Sequence, residues 1–104
     1  MPTPQRGEVW LVDLGIAAKI RPALVLSVPP DPQDRVLVTL VPHTTSLHGT
    51  RFEVAISKKF LSSGAFDAQG LVTVASARLI RKMGDLHPNE LTQIEEAVKR
   101  WLSL

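Results

Sequence analysis

Two short stretches of this chain carry side chains that can act on a phosphate. The first is Arg21-Pro22. Proline disfavours the helical conformation in the residue before it, so Arg21 is expected in an extended backbone at the mouth of a strand. There its guanidinium would stand over the sheet edge. Its planar fork matches two oxygens of a phosphate at once, although an arginine before a strand also serves as plain surface charge. The second stretch is Pro42-His43-Thr44-Thr45-Ser46. Three successive hydroxyls either donate to phosphate oxygens or satisfy the amides of their own turn. His43 is the residue type suited to a base near neutral pH. If strand alternation continues through it, however, His43 points away from Thr44.

Other chemistries are excluded. With no cysteine in the chain, disulfides, thiolate zinc sites and cysteine nucleophiles are all ruled out. No glycine-rich phosphate loop and no Gly-x-Ser-x-Gly elbow occurs. The three histidines, His43, His48 and His87, have no carboxylate at metal-ligand spacing, so neither a metal nor another cofactor is expected. His48 reads as a loop residue and His87 as the start of a helix.

The frame for these side chains is a run of short strands. Glu8 to Leu14 alternates, with Trp10, Val12 and Leu14 on one face and Val9 and Leu11 on the other. A second strand is expected over Ala23 to Val28, beginning at Pro22 and ended by Pro29, Pro30 and Pro32. Val36 to Val41 is apolar on both faces and therefore central, with Pro42 closing it or forcing a bulge. Phe52 to Ile56 and Leu71 to Ala75 follow, with a short sixth strand over Ala77 to Ile80. A brief helical turn is expected around Ser57 to Ser63. Then the period changes. Leu91, Ile94, Val98, Trp101 and Leu102 form one helical stripe, which predicts a helix from Pro88 to Leu102. Pro88 suits its first position, His87 its N-cap, and Glu90 can reach back to the N-cap amide. The whole chain, 1–104, reads as one mainly β domain with a C-terminal helix, a small, strongly bent sheet or barrel with the helix packed across it.

The 12 basic and 10 acidic side chains are unevenly placed. Between His43 and Lys82, the bases Arg51, Lys58, Lys59, Arg78, Arg81 and Lys82 face only Glu53 and Asp67. Beyond Asp85 the acids prevail. The middle of the chain is thus the part suited to a polyanion. No apolar run approaches the ~20 residues of a membrane helix, and Met1-Pro2-Thr3-Pro4-Gln5-Arg6 has no apolar core of a signal peptide. A cytoplasmic location with no membrane partner is expected.

Four landmarks in order resemble one family. Gly7-Glu8-Val9-Trp10-Leu11-Val12-Asp13-Leu14 is similar to the opening strand of the MazF/PemK (Kid-like) toxin ribonucleases. Arg21-Pro22-Ala23-Leu24-Val25-Leu26-Ser27 resembles their "RP-apolar-VLS" strand. Val41-Pro42-His43-Thr44-Thr45-Ser46 with Phe52-Glu53-Val54 resembles their "VP-x-TT" turn and "FEV" strand. Gly84-Asp85-Leu86-His87-Pro88-Asn89-Glu90-Leu91 resembles their "G-x-L-x-PEEL" helix start. The resemblance implies an SH3-like, plug-type barrel that forms a homodimer, cleaves single-stranded RNA without a metal, and is held by an antitoxin whose acidic disordered tail fills the RNA groove. It implies transesterification by the RNA 2′-OH, leaving a 2′,3′-cyclic phosphate and a 5′-OH. It matches Arg21 to the catalytic arginine and Thr44 to the catalytic threonine. The substrate-binding set expected around them is Lys19, His43, Thr45, Ser46, Arg51, Ser76 and Arg78.

The sequence departs from that family in two places. The stretch from Asp13 to Arg21 is short, and its Gly15-Ile16-Ala17-Ala18-Lys19 offers only Lys19 to RNA. Ser76, in Ala75-Ser76-Ala77-Arg78, replaces a substrate-contacting glutamine. Two other readings stay open. One is a non-enzymatic inhibitor like the gyrase-poisoning CcdB toxins, which share the fold and act through C-terminal residues; here the helical stripe accounts for Trp101. The other is a barrel that binds RNA through Arg51, Lys58, Lys59 and Arg78 without cutting it.

Overall fold

The computed structural model describes residues 3–15 and 19–104. Ile16, Ala17 and Ala18, within the short segment noted above, and Met1 and Pro2 lie outside the described residues. Among the described residues seven strands precede one helix: β1 (Glu8–Asp13), β2 (Ile20–Val25), β3 (Leu37–Thr44), β4 (Glu53–Val54), β5 (Ala65–Asp67), β6 (Val72–Ala75), β7 (Leu79–Asp85) and α1 (Pro88–Leu102). They form one antiparallel sheet in the order β4-β5-β3-β2-β1-β7, with β6 also pairing with β3. The sheet is bent rather than closed.

The central strands are covered on both faces, as the apolar runs require. One face of β1, β2 and β3 supplies Val9, Leu24 and Val41 to a core completed by Phe52, Phe66 and the helix residues Ile94, Ala97 and Val98. The opposite face supplies Trp10, Val12, Ala23, Val25, Val38 and Leu40 to a second core closed by Leu79. Neighbours in sequence therefore belong to different cores, the period-two signature of a strand buried on both sides. Each fully buried aliphatic side chain contributes about 1.5–3 kcal/mol.

Both prolines read as strand boundaries lie inside strands. β2 begins at Ile20, not Ala23, and ends at Val25; Pro22 sits opposite Leu11 of β1. β3 runs through Pro42 to Thr44. Pro42 tolerates this because β3 changes partner there: Leu37–Leu40 pair with β6, and His43 and Thr44 pair with β5. A residue without an N–H loses nothing at the gap between two ladders. Other boundaries also moved. β4 keeps only Glu53 and Val54 of the expected five residues. The expected turn at 57–63 is a single i→i+3 hydrogen bond, Leu61 N to Lys58 O at 3.0 Å. β5 was not expected. Ser76–Arg78 is a 3-10 turn, and the strand starts after it and continues to Asp85.

The helix has the expected bounds. His87 donates its N–H to Glu90 Oε1 at 2.7 Å, and Glu90 also pairs with Lys58 at 2.6 Å. Arg6 pairs with Glu95. These contacts pin α1 across the sheet. The apolar stripe nevertheless runs past the core it serves: Ile94 and Val98 are buried, whereas Trp101 and Leu102 are 43% and 45% exposed. Core packing thus accounts for the first part of the stripe only; Trp101 meets the protein through an edge contact to Phe52, ring centroids 5.3 Å apart.

Candidate functional site

The site is set by the register of β2 against β3. Val25 pairs with Leu40, Leu24 with Val41 and Ala23 with Pro42. Arg21 and Thr44 each lie two residues beyond the last pair of this ladder. By alternation both share the face that carries Ala23, Val25 and Leu40, at the point where the second core gives way to solvent. Both are half-buried. They line one cleft of about 250 Å³ together with Lys19, Thr45, Ser46, His43 and Ser62. Lys19 adopts φ +61°, and its carbonyl accepts the Leu14 N–H at 2.9 Å.

The threonine hydroxyl is oriented by its own turn. Thr44 Oγ1 accepts the Ser46 N–H at 3.0 Å. Its other contact, to Ser46 O, is long at 3.5 Å and weak at that distance, so its proton can be redirected to an incoming phosphate oxygen. Behind the turn, one carboxylate holds the loop. Glu53 accepts the successive N–H groups of His48, Gly49 and Thr50 at 2.9, 2.7 and 3.2 Å. These bonds, that from His48 foremost, keep its carboxyl below the usual glutamate range.

His43 lies on the opposite face of β3 from Thr44. Its side chain is 3% exposed and packs edge-on against Phe66, centroids 5.1 Å apart. Burial pushes its pKa below the ordinary 6.5. A base has to exchange protons with substrate, and a ring seated in this way contributes to the wall of the cleft rather than to its open face.

The other expected substrate residues lie elsewhere in the chain. Arg51 stacks its guanidinium 4.7 Å over the Phe52 ring and lines a groove between β4 and α1. Ser76 lines an apolar hollow beneath the loop of Pro29 and Pro30. Arg78 is exposed at the end of the 3-10 turn before β7. Ser62 was not anticipated: it reaches the cleft because the segment before β5 folds back beside β3, and no local motif marks it. Among the described residues no three histidine, aspartate or glutamate side chains gather at metal-binding range.

An antiparallel sheet crossed by one terminal helix is the fold of the MazF toxins. A MazF structure from Deinococcus radiodurans aligns with a TM-score of 0.85, covering 100% of both chains at 21% identity. A mycobacterial endoribonuclease in complex with its cognate antitoxin aligns at 0.80, with 26% identity over 100% of this chain and 97% of the other. The likeness extends to sequence: endoribonuclease MazF9 of Mycobacterium tuberculosis is 31% identical, over 96% of this chain and 97% of its own length. Residues 5–102 match the PemK-like, MazF-like toxins of type II toxin-antitoxin systems, and the chain belongs to that family.

Proposed function

We propose that this protein is the endoribonuclease toxin of a type II toxin-antitoxin pair, with Arg21 and Thr44 as its cleavage residues. The observation that carries this reading is their meeting in one cleft from two neighbouring strands. The nucleophile is the substrate's own 2′-OH, held next to the scissile phosphorus by the ribose, which supplies the proximity. As the 2′-oxygen bonds to phosphorus and loses its proton, the bond to the 5′-oxygen breaks and that oxygen gains one. The products are a 2′,3′-cyclic phosphate and a 5′-OH. The protein's task is to stabilise charge on the pentacovalent phosphorus. The Arg21 fork binds the non-bridging oxygens, and the Thr44 hydroxyl adds a hydrogen bond. A guanidinium stays protonated near neutral pH, so Arg21 acts through charge rather than as a base. Lys19, Thr45 and Ser46 hold the flanking backbone.

The working assembly in this reading is a cytoplasmic homodimer, restrained by an antitoxin whose acidic segment competes for the basic cleft. The apolar side chains that α1 and β7 leave on the surface, Ile80, Trp101 and Leu102, offer area for a second subunit. Incubation with single-stranded RNA in EDTA, followed by mapping of the ends, tests the activity. The expected result is 5′-OH and 2′,3′-cyclic phosphate termini that disappear in Arg21→Ala. Intact RNA, or equal cleavage by Arg21→Ala, would overturn the assignment.

A further inference from the structure

His43 is the one buried polar or charged side chain among the described residues, and its Nε2 is fully enclosed without a hydrogen-bond partner. The ring sits in a slot. Phe66 of β5 closes one side. Gly64 closes another: a Cβ built on it would lie 2.9 Å from His43 Cε1 and 2.2 Å from the Thr44 carbonyl oxygen. The ladder joining β3 to β5 consists of His43 with Phe66 and Thr44 with Ala65. The contacts that seat the imidazole are therefore the contacts that hold Thr44.

Among the described residues no carboxylate stands within ion-pair distance of the ring. Lys19 and Arg21 share the cleft wall with it. On β5, Asp67 spends its Oδ1 on the Gln69 N–H. On β4, Glu53 is occupied by three loop amides. On α1, Glu90 and Glu95 are paired with Lys58 and Arg6. An imidazolium in this slot would be both desolvated and unpaired, which is strongly unfavourable.

We infer that His43 is a positioning residue for Thr44 and an acid-sensitive latch: when its ring takes up a second proton it leaves the slot between Phe66 and Gly64, and the end of β3 that carries Thr44 comes away from β5. The effect on cleavage rests on the reading of Arg21 and Thr44 given above; the effect on the fold does not. Burial holds the native pKa below 6.5. The unfolded chain therefore binds the proton more readily in acid, and the stability His43 contributes is complete above 6.5 and lost as pH falls from there towards the native value. The other two histidines are exposed, and the carboxylates with displaced pKa values, Glu8, Glu53 and Glu90, lie below 4.5. A window from about pH 7 to 5 lies above those carboxylates, and comparison with the His43 variants subtracts whatever else changes within it.

The test compares the full-length protein with His43→Leu and His43→Asn, measuring the urea midpoint, the protection of the Thr44 amide and the initial rate of RNA cleavage across that window. In the wild type all three are expected to fall together, the rate by about tenfold per pH unit once below the native pKa. Both variants are expected to keep level midpoints and Thr44 protection, and His43→Asn serves if His43→Leu does not fold. A wild-type midpoint that stays level, or an equal fall in the variants, overturns the latch. A protein that cuts no RNA at any pH overturns the cleavage reading instead, and the midpoints and Thr44 protection still decide the latch.

Discussion

Arg21 of β2 and Thr44 of β3 line the same cleft, each two residues beyond the last pair of the ladder that joins their strands, Ala23 with Pro42. This relationship depends on a sheet rather than on any local segment. It also explains why prolines flank the site. Pro22, opposite Leu11 of β1, and Pro42, in the last pair of the β2–β3 ladder, stand next to Arg21 and within two residues of Thr44, and their fixed φ angles stiffen the backbone that presents the guanidinium and the hydroxyl.

Arg21 should be irreplaceable in function but not in folding. Arg21→Ala is expected to lower the cleavage rate by at least about 10²-fold, as loss of a charge-stabilising donor does elsewhere, with an unchanged circular dichroism spectrum. Arg21→Lys should stay impaired, because an ammonium is a point charge without the fork. Near-normal cleavage by the lysine variant would show that charge alone suffices.

Thr44 separates into two roles. Its hydroxyl accepts the Ser46 N–H and has a proton to offer. Thr44→Ser keeps both and should retain cleavage within about tenfold, whereas Thr44→Val loses the hydroxyl and should fall well below that. Combined with Arg21→Ala, the valine change should add less than it does alone, since neighbouring groups acting on one phosphate are not independent. Strict additivity in that double-mutant cycle would place the two side chains on different steps.

How far the sequence could be read follows from where each signal lies. α1 was legible because its start is written locally, in Pro88 and Glu90, and its stripe repeats over several turns. β5 was not: Ala65-Phe66-Asp67 is too short to show a period. β7 was read only to Ile80 because it is an edge strand paired with β1 alone, and Arg81 and Lys82 face solvent where an inner strand would carry apolar residues. The pair Arg21 and Thr44 was legible through resemblance, and the alternation that turns His43 away from Thr44 was legible from the strand. Ser62, and the separation of Arg51, Ser76 and Arg78 from the cleft within the chain, depend on tertiary folding and left no mark in the sequence.

Gly64 should be intolerant of any side chain. A Cβ there would lie 2.2 Å from the Thr44 carbonyl oxygen, a backbone atom that cannot rotate aside. Gly64→Ala is expected to destabilise the protein by about 1–3 kcal/mol, the usual range for overpacking, read as a lower urea midpoint. Because the clash bears on Thr44, cleavage should fall even where the variant is still folded. An unchanged midpoint would mean that the segment before β5 shifts freely.

Glu53 offers a test of the loop behind the cleft. Its carboxylate gathers three successive amides, and those bonds depress its pKa. The order it imposes is therefore complete above the ordinary value of 4.5 and is lost as pH falls through the depressed native one. Glu53→Gln keeps one acceptor but turns an NH2 group towards an amide that needs an oxygen. Exchange protection at His48, Gly49 and Thr50 should drop at neutral pH, as it does in the wild type only in acid. Thr45 and Ser46 stand on the cleft side of this loop, while Thr44 is held by β5. The loss of one such bond should therefore raise KM by up to about tenfold and leave kcat nearly unchanged. A fall in kcat instead would mean that the loop sets the reacting geometry as well as the grip on RNA.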